Sequence, residues 1–548
     1  MDTVKVILND GTEHVYKKNT SFYEISKDCH DVKNIMGVRI NNEVFSLDKK
    51  ITEDATLSFF GINDLIGNRM YKSALKFIFE VALNDLYPDL EIHYEHSVPR
   101  GMLGEIVGEK TLTHEEIGTI KEQMAKIIDE DLRFEKLNVT AHDAIIYYHK
   151  NKQYEKASNI QYINDRVVRL YKLKNKLNYF YSELPYSTKS ISKFNIEYLG
   201  NNRLVFLFPT IEGGEVPEYV HYDNIIKSFL NSKDWLNKLK IPYVSNLNKL
   251  ISDGKIKEFI RSNELAFDLE ISKVAKRIIN NNNIKFVMIA GPSGSGKTTT
   301  TGKLAAYLMA CGYDPIKISL DDYFVNKVDT PKDENGDYDF ECLMAIDIDR
   351  FNSDLNKLLN GGTIKMPRYN FVTGLREETK KEIRLNDNSI ILIEGLHALN
   401  DELTSGIEAK RKFKIYLSPF IAINLDRHNY ISTLDLRLLR RMIRDYLTRG
   451  YSVSDTIESW QSVRRGEENY IFPFIHQADV IINTALSYEI GVLKVYVEPL
   501  LYSVTVNSKY YEEARRLLFS LKQYFPIPGE YIPKDTILRE FIGGGFND

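Results

Sequence analysis

The sequence predicts a multidomain α/β protein whose largest unit is a five-stranded parallel sheet wrapped by helices on both faces. Three observations carry this. First, 548 residues exceed what one hydrophobic core organises, so roughly two to four domains are expected. Second, five short apolar runs (286–290, 315–320, 389–394, 413–417 and 479–483) are separated by helical patterns, as in a buried parallel sheet. Third, Phe286-Val-Met-Ile-Ala runs straight into Gly291-Pro292-Ser293-Gly294-Ser295-Gly296-Lys297-Thr298-Thr299, which reads as a buried strand, a glycine-rich loop and the start of a helix. A hydrophobic fraction of 43% with 27% charged residues is ordinary for a soluble globular chain, and a net charge of −4 offers no broad basic field for nucleic acid. Cys29, Cys311 and Cys342 form no CxxC pair, which argues against structural zinc and a disulfide framework. No run of about 18 apolar residues and no leader-like start occurs, so a cytoplasmic protein without membrane contact is expected.

Along the chain, residues 1–61 are strand-rich. Val4-Lys-Val-Ile-Leu8 reads as a strand, Asn9-Asp-Gly11 as a hairpin turn and His14-Val-Tyr16 as a second strand. Thr20-Ser-Phe-Tyr-Glu-Ile25 reads as a capped helix start, and Val38 to Val44 as a hairpin around Asn41-Asn42. This is the element order of a small β-grasp fold, and Ile7-Leu-Asn-Asp-Gly11 through Ile25 resembles the TGS domains at the front of threonyl-tRNA synthetases. In residues 62–220 longer helices mix with strands; Thr113 caps a helical pattern with Glu116 three residues on. Met124-Ala-Lys-Ile-Ile128 and Ala144-Ile-Ile-Tyr-Tyr148 resemble the second additional domain of the same synthetases, an α+β domain that edits mischarged tRNA with an H-x-x-x-H pair. Asn68 and Lys72 stand at those positions here, so the histidine pair is missing. The two front blocks together imply RNA contact. His93 and His96 would point to opposite faces of a strand, which favours packing or surface roles over metal binding. Residues 221–283 read as a helical linker ending in Asn280-Asn-Asn-Asn283. Residues 501–548 read as a packing helix, Tyr510 to Phe525, and a tail with Gly543-Gly-Gly545.

The unit at 284–500 carries the chemistry. In G-x-x-x-x-G-K-T the glycines let successive N–H groups point at phosphate oxygens, and the new helix adds its positive end. Lys297 reaches the outer phosphates and Thr298 offers a hydroxyl to Mg²⁺, so the chain binds a nucleoside triphosphate. Ligands of such sheets sit at the carboxyl ends of the strands, where Asp321 and Glu394 fall. A buried acid at Glu394 is costly unless it faces Mg²⁺ or its water.

The P-loop, Ser319-Leu-Asp321-Asp-Tyr-Phe324, Tyr338-Asp-Phe-Glu341, Pro367-Arg-Tyr369-Asn-Phe371 with Arg376, Glu394-Gly395 and Arg440-Arg-Met-Ile-Arg444-Asp445 together resemble the uridine kinase and phosphoribulokinase family of P-loop kinases. The resemblance implies ATP and Mg²⁺, with Asp321 as the base that accepts the hydroxyl proton; Asp322 is its local rival and a helix cap the bland alternative. It further implies Glu341 on the ribose hydroxyls, Tyr369 and Phe371 packed on the acceptor, and Arg376 at its base. Arg441, Arg444 and Arg449 become lid residues that stabilise charge on the transferring phosphoryl. The family's pyrimidine-contacting histidine falls at Gly374, which leaves the base open. The expectation is an ATP-dependent kinase acting on the 5′-hydroxyl of a nucleoside. A kinase for another sugar or sugar phosphate, and a nucleotide-switched RNA-binding protein, are the alternatives; a homo-oligomer stays open.

Overall fold

A computed structural model describes residues 2–30, 32–211, 213–332 and 336–546. The five apolar runs form one sheet. In chain order its strands are β1 (Phe286–Ala290), β2 (Asp314–Ser319), β3 (Ser389–Glu394), β4 (Lys412–Ser418) and β5 (Val480–Asn483). They lie in the order β2-β3-β1-β4-β5, and every pairing is parallel, as the sequence predicts. β1 and β3 are buried along their whole length, which is why they read as unbroken apolar runs rather than alternating ones. From β1 the chain passes to β2 on one side, while β4 and β5 build the other. That reversal opens a crevice at the carboxyl end of β1.

The helices Asp223–Lys238, Val244–Ser252 and Ile256–Ile279 do not bridge space between units. Ile225, Phe229, Phe259, Ile271 and Val274 share one continuous core with the sheet, and so do Ile537, Leu538 and Phe541 from the C-terminal segment. The apolar spacing that reads as linker helices is therefore that of a layer covering the sheet.

In the front unit the strands Thr3–Ile7 and Glu13–Lys17 pair antiparallel, and Ser21 caps Phe22–Ile25 with Glu24 reciprocating. Asn41 and Asn42 both take positive φ in the hairpin Gly37–Ile40/Glu43–Phe45, the backbone a tight two-residue turn demands. In the second block the helix Leu65–Leu86 is buried along most of its length, and the helix His114–Asp129 starts at the expected Thr113/Glu116 capping box. Glu91–Val98 is a strand of a four-stranded antiparallel sheet. His96 is buried against Phe229, ring centroids 4.8 Å apart, and its Nε2 lies 3.2 Å from Thr433 Oγ1. Burial pushes its pKa down to about 3, so it is a packed neutral histidine. Among the described residues no helix is long and apolar enough to cross a membrane.

The second block grips the connection that follows β4. Arg427 donates from Nε to Glu155 at 2.7 Å and from NH2 to the Lys152 carbonyl at 2.9 Å, and pairs with Glu91. Lys76 Nζ donates to the His428 carbonyl at 3.0 Å, Asn159 Nδ2 to the Leu425 carbonyl at 2.7 Å, and the Tyr94 N–H to the Arg427 carbonyl at 2.8 Å. Kinase-unit residues 425–429 thus sit among the helices and strands of the front half.

Candidate active site

The glycine-rich loop leaves β1 and enters the helix Lys297–Ala310 through two left-handed glycines, Gly294 (φ +76°) and Gly296 (φ +82°). A Cβ on Gly291 would lie 2.6 Å from both the Leu417 carbonyl oxygen and Ser295 Oγ, so the loop tolerates no side chain there. Its carbonyls are held from outside. Arg437 Nε donates to Ser293 O at 2.8 Å, Arg440 NH1 to Gly294 O at 3.0 Å, and Thr484 Oγ1 to Ser295 O at 2.6 Å. The Ser295 N–H turns back onto the Pro292 carbonyl at 3.1 Å, and with the other carbonyls satisfied outward the N–H groups that open the helix are left for an anion. Arg437 pairs with Glu467, and Arg440, 0% exposed, pairs with Glu489 and donates to the Thr484 carbonyl at 2.9 Å. Helical spacing puts Arg437, Arg441 and Arg444 on one face of the helix Thr433–Arg449, but nothing in it tells an outward arginine from one buried beneath a loop.

Lys297 Nζ donates to the Gly291 carbonyl at 2.9 Å. Thr298 is exposed at the first turn of the helix, and Ser295 is buried with its hydroxyl unpartnered. Thr299 donates from its N–H and Oγ1 to Glu540, a contact from the far end of the chain that no local signal reveals.

Two strand ends deliver the acids. Asp321 lies on the turn Leu320–Tyr323 just after β2, and Glu394 ends β3 directly opposite Ser319, whose Oγ donates to it at 3.0 Å. Glu394 is 9% exposed, and burial, with the negative charge of Asp321 adding to it, pushes its pKa up to about 7. Burial does the same to Glu341, also to about 7; the charges of Arg441 and Lys297 oppose the shift and Asp321 reinforces it. Lys297, Asp321, Glu341, Glu394 and Arg441 therefore share one field. Asp322 accepts the Tyr369 N–H at 3.4 Å, so this neighbour is tied to the hairpin Ile364–Asn370/Leu375–Ile383.

The arginines expected in a lid, Arg441, Arg444 and Arg449, lie on the helix Thr433–Arg449. Asp445, wholly buried, gathers its arginines: Arg441 Nε at 3.0 Å, Arg444 NH2 at 2.8 Å and Arg449 NH1 at 3.5 Å. Arg441 also reaches Ser293 Oγ at 3.4 Å, and the Arg449 guanidinium lies 5.1 Å from the Phe371 ring centroid. Phe371 is edge-on to Tyr369 at 5.1 Å, and Phe324 meets both rings, forming an aromatic wall. The Tyr369 hydroxyl is buried without a partner. Arg376 pairs with Asp347 at 2.8 Å. Gly374 has φ +70°, and a Cβ there would lie 2.8 Å from Lys327 Cβ.

A divalent cation fits this chemistry: Glu394 is a buried carboxylate in need of positive charge, and Thr298 offers a hydroxyl beside the P-loop. Among the described residues no group of three or more His, Cys, Asp or Glu forms a cage of its own, as expected where phosphate supplies part of the coordination.

Residues 286–490 match the model of the phosphoribulokinase/uridine kinase family. A uridine kinase of Macrococcus caseolyticus is 31% identical over 195 residues, 35% of this chain and 85% of its own. The chain belongs to the phosphoribulokinase/uridine kinase family. A uridine kinase of Bacillus pumilus is 31% identical over 35% of this chain and 83% of its own length, and one of Halobacterium salinarum 29% identical over 35% and 77%. The solved structure of "a Possible Uridine Kinase from Bacillus stearothermophilus" covers 40% of this chain and 100% of its own at 18% identity and a TM-score of 0.27. As a phosphoribulokinase/uridine kinase family member the chain is a P-loop kinase, of a class that uses ATP, Mg²⁺ and a small-molecule acceptor.

Proposed function

We propose that this kinase transfers the γ-phosphoryl of ATP to the 5′-hydroxyl of a nucleoside. The observation that carries the reading is the convergence of Asp321, Glu341 and the aromatic wall of Phe324, Tyr369 and Phe371 on the P-loop side of the sheet. Asp321 accepts the proton of the attacking hydroxyl. Glu341, largely buried, pairs with the sugar hydroxyls, and Tyr369 and Phe371 pack the acceptor while the unpartnered Tyr369 hydroxyl offers it a hydrogen bond. Gly291 to Thr299 hold the triphosphate. Lys297, Arg441, Arg444 and Arg449 stabilise charge on the phosphoryl as it moves. Thr298 and Glu394 hold Mg²⁺, which neutralises phosphate charge when bound.

A side chain at Gly374 is strained by its positive φ and crowded by Lys327, so base selection falls to the neighbouring Arg376, held by Asp347. ADP release measured over a panel of nucleosides, sugars and sugar phosphates tests the reading. Turnover with a nucleoside is expected; turnover only with another sugar moves the acceptor assignment and leaves the donor side standing. Occupation of the second block by residues 425–429 counts against RNA contact through that surface.

A further inference from the structure

Residues 534–546 return to the phosphate end of the P-loop helix. Glu540, on the turn Arg539–Ile542, accepts two hydrogen bonds on one oxygen, Oε2: from the Thr299 N–H at 3.1 Å and from Thr299 Oγ1 at 2.8 Å. Thr299 stands in the first turn of Lys297–Ala310, where backbone N–H groups have no partner within the helix and point toward an anion. In a P-loop those donors cradle phosphate oxygens. A carboxylate oxygen thus stands where a nucleotide oxygen binds.

The contact is built into the fold. Ile537 is 0% exposed and lies so close to Gly296 that a Cβ on the glycine would be 2.8 Å from Ile537 Cγ2. Phe541 is buried with the Arg440 guanidinium 5.0 Å from its ring centroid, so the residue that holds the P-loop carbonyl also seats the segment. Thr536 Oγ1 donates to Glu264 Oε1 at 2.6 Å. Arg539 donates to the carbonyls of Gly529, Ile532, Pro533 and Gly543, which folds the segment on itself and aims Glu540 at the helix.

We propose that Glu540 is the resident anion of the phosphate cradle and that a nucleotide phosphate binds by displacing its carboxylate from Thr299. Glu540 Oε2 takes both Thr299 donors, so a phosphate oxygen brought to either would lie against the carboxylate, and like charges that close repel. Ligands that place a phosphate there meet the competition, and a nucleoside without phosphates does not. The C-terminal segment is then a strap that keeps the empty cradle ordered and loosens when nucleotide arrives. This rests on the P-loop holding a nucleotide.

Calorimetric titration of the full chain with Mg·ATP, Mg·ADP and adenosine, on the parent and on Glu540→Gln, tests it. The glutamine keeps the shape and removes the charge. Kd for ATP and ADP is expected to fall at least threefold in the variant with adenosine unchanged. Equal or weaker ATP binding, or the same gain for adenosine, overturns the displacement. ATP binding by neither protein overturns the nucleotide reading itself and this one with it. A second measurement needs no variant. Amide exchange over 533–546 in the parent is expected to quicken on adding Mg·ATP and not adenosine; unchanged or slower exchange with ATP overturns the proposal.

Discussion

Gly374 shows how one backbone angle limits what a site can recognise. With φ +70° and Lys327 Cβ in the space of any Cβ, Gly374→His places strain and a clash in the turn that presents Phe371. Denaturant unfolding is expected to show a loss of about 1–3 kcal/mol, with no gain in uridine turnover. In the proposed reaction Asp321→Asn removes the proton acceptor and also a negative charge beside Glu341 and Glu394; kcat is expected to fall about 10²–10⁴-fold while the Kd for ATP stays within a few-fold. Glu394 and Glu341 make stability depend on pH. Their ordinary value is 4.5 and burial pushes both to about 7, so in that window the folded state holds protons the unfolded state has lost. Stability therefore falls as pH rises from about 4.5 to about 7, and levels off above. Glu394→Gln is expected to raise the melting temperature at pH 8, by on the order of 2 kcal/mol in stability. Mg²⁺ is expected to stabilise the parent there and not the variant.

At the scale of elements, the helix Thr433–Arg449 does two jobs along its length. Arg437 and Arg440 face inward and hold P-loop carbonyls, while Arg441, Arg444 and Arg449 cluster on Asp445 toward the reacting end. Arg440→Ala strands the Glu489 charge and orphans the carbonyls of Gly294 and Thr484. It is expected to cost about 3–5 kcal/mol in denaturant unfolding and to weaken ATP binding, because the loop loses its outer support. Arg441→Ala keeps that support and is expected to lower kcat by about 10²–10³-fold with ATP affinity little changed. Stopped assays beside calorimetric titration separate the two. The sheet and the P-loop were legible because their signals are local: unbroken apolar runs, and glycines at fixed offsets from a lysine. The inner arginines were not legible, since helical spacing shows which residues share a face and not what covers that face.

For the whole molecule, the front half and the kinase unit are joined where the chain passes from β4 to the helix Thr433–Arg449. Arg427 sits between Glu155, Glu91 and the Lys152 carbonyl, and Arg516 bridges Asp435 at the start of that helix to Glu513, which also pairs with Arg69. Arg427→Ala is expected to uncouple the halves, giving two calorimetric transitions where the parent gives one. The sequence by itself determined the parallel sheet, the phosphate loop, the two strand-end acids and the family, because each is written in neighbouring residues whose chemistry acts at short range. Only the tertiary structure decided that 221–283 is a layer of the kinase core, that residues 425–429 fill the front block, and that Glu540 lies on Thr299. Those contacts join residues far apart in the chain, and their partners are chosen by packing, which no local pattern records.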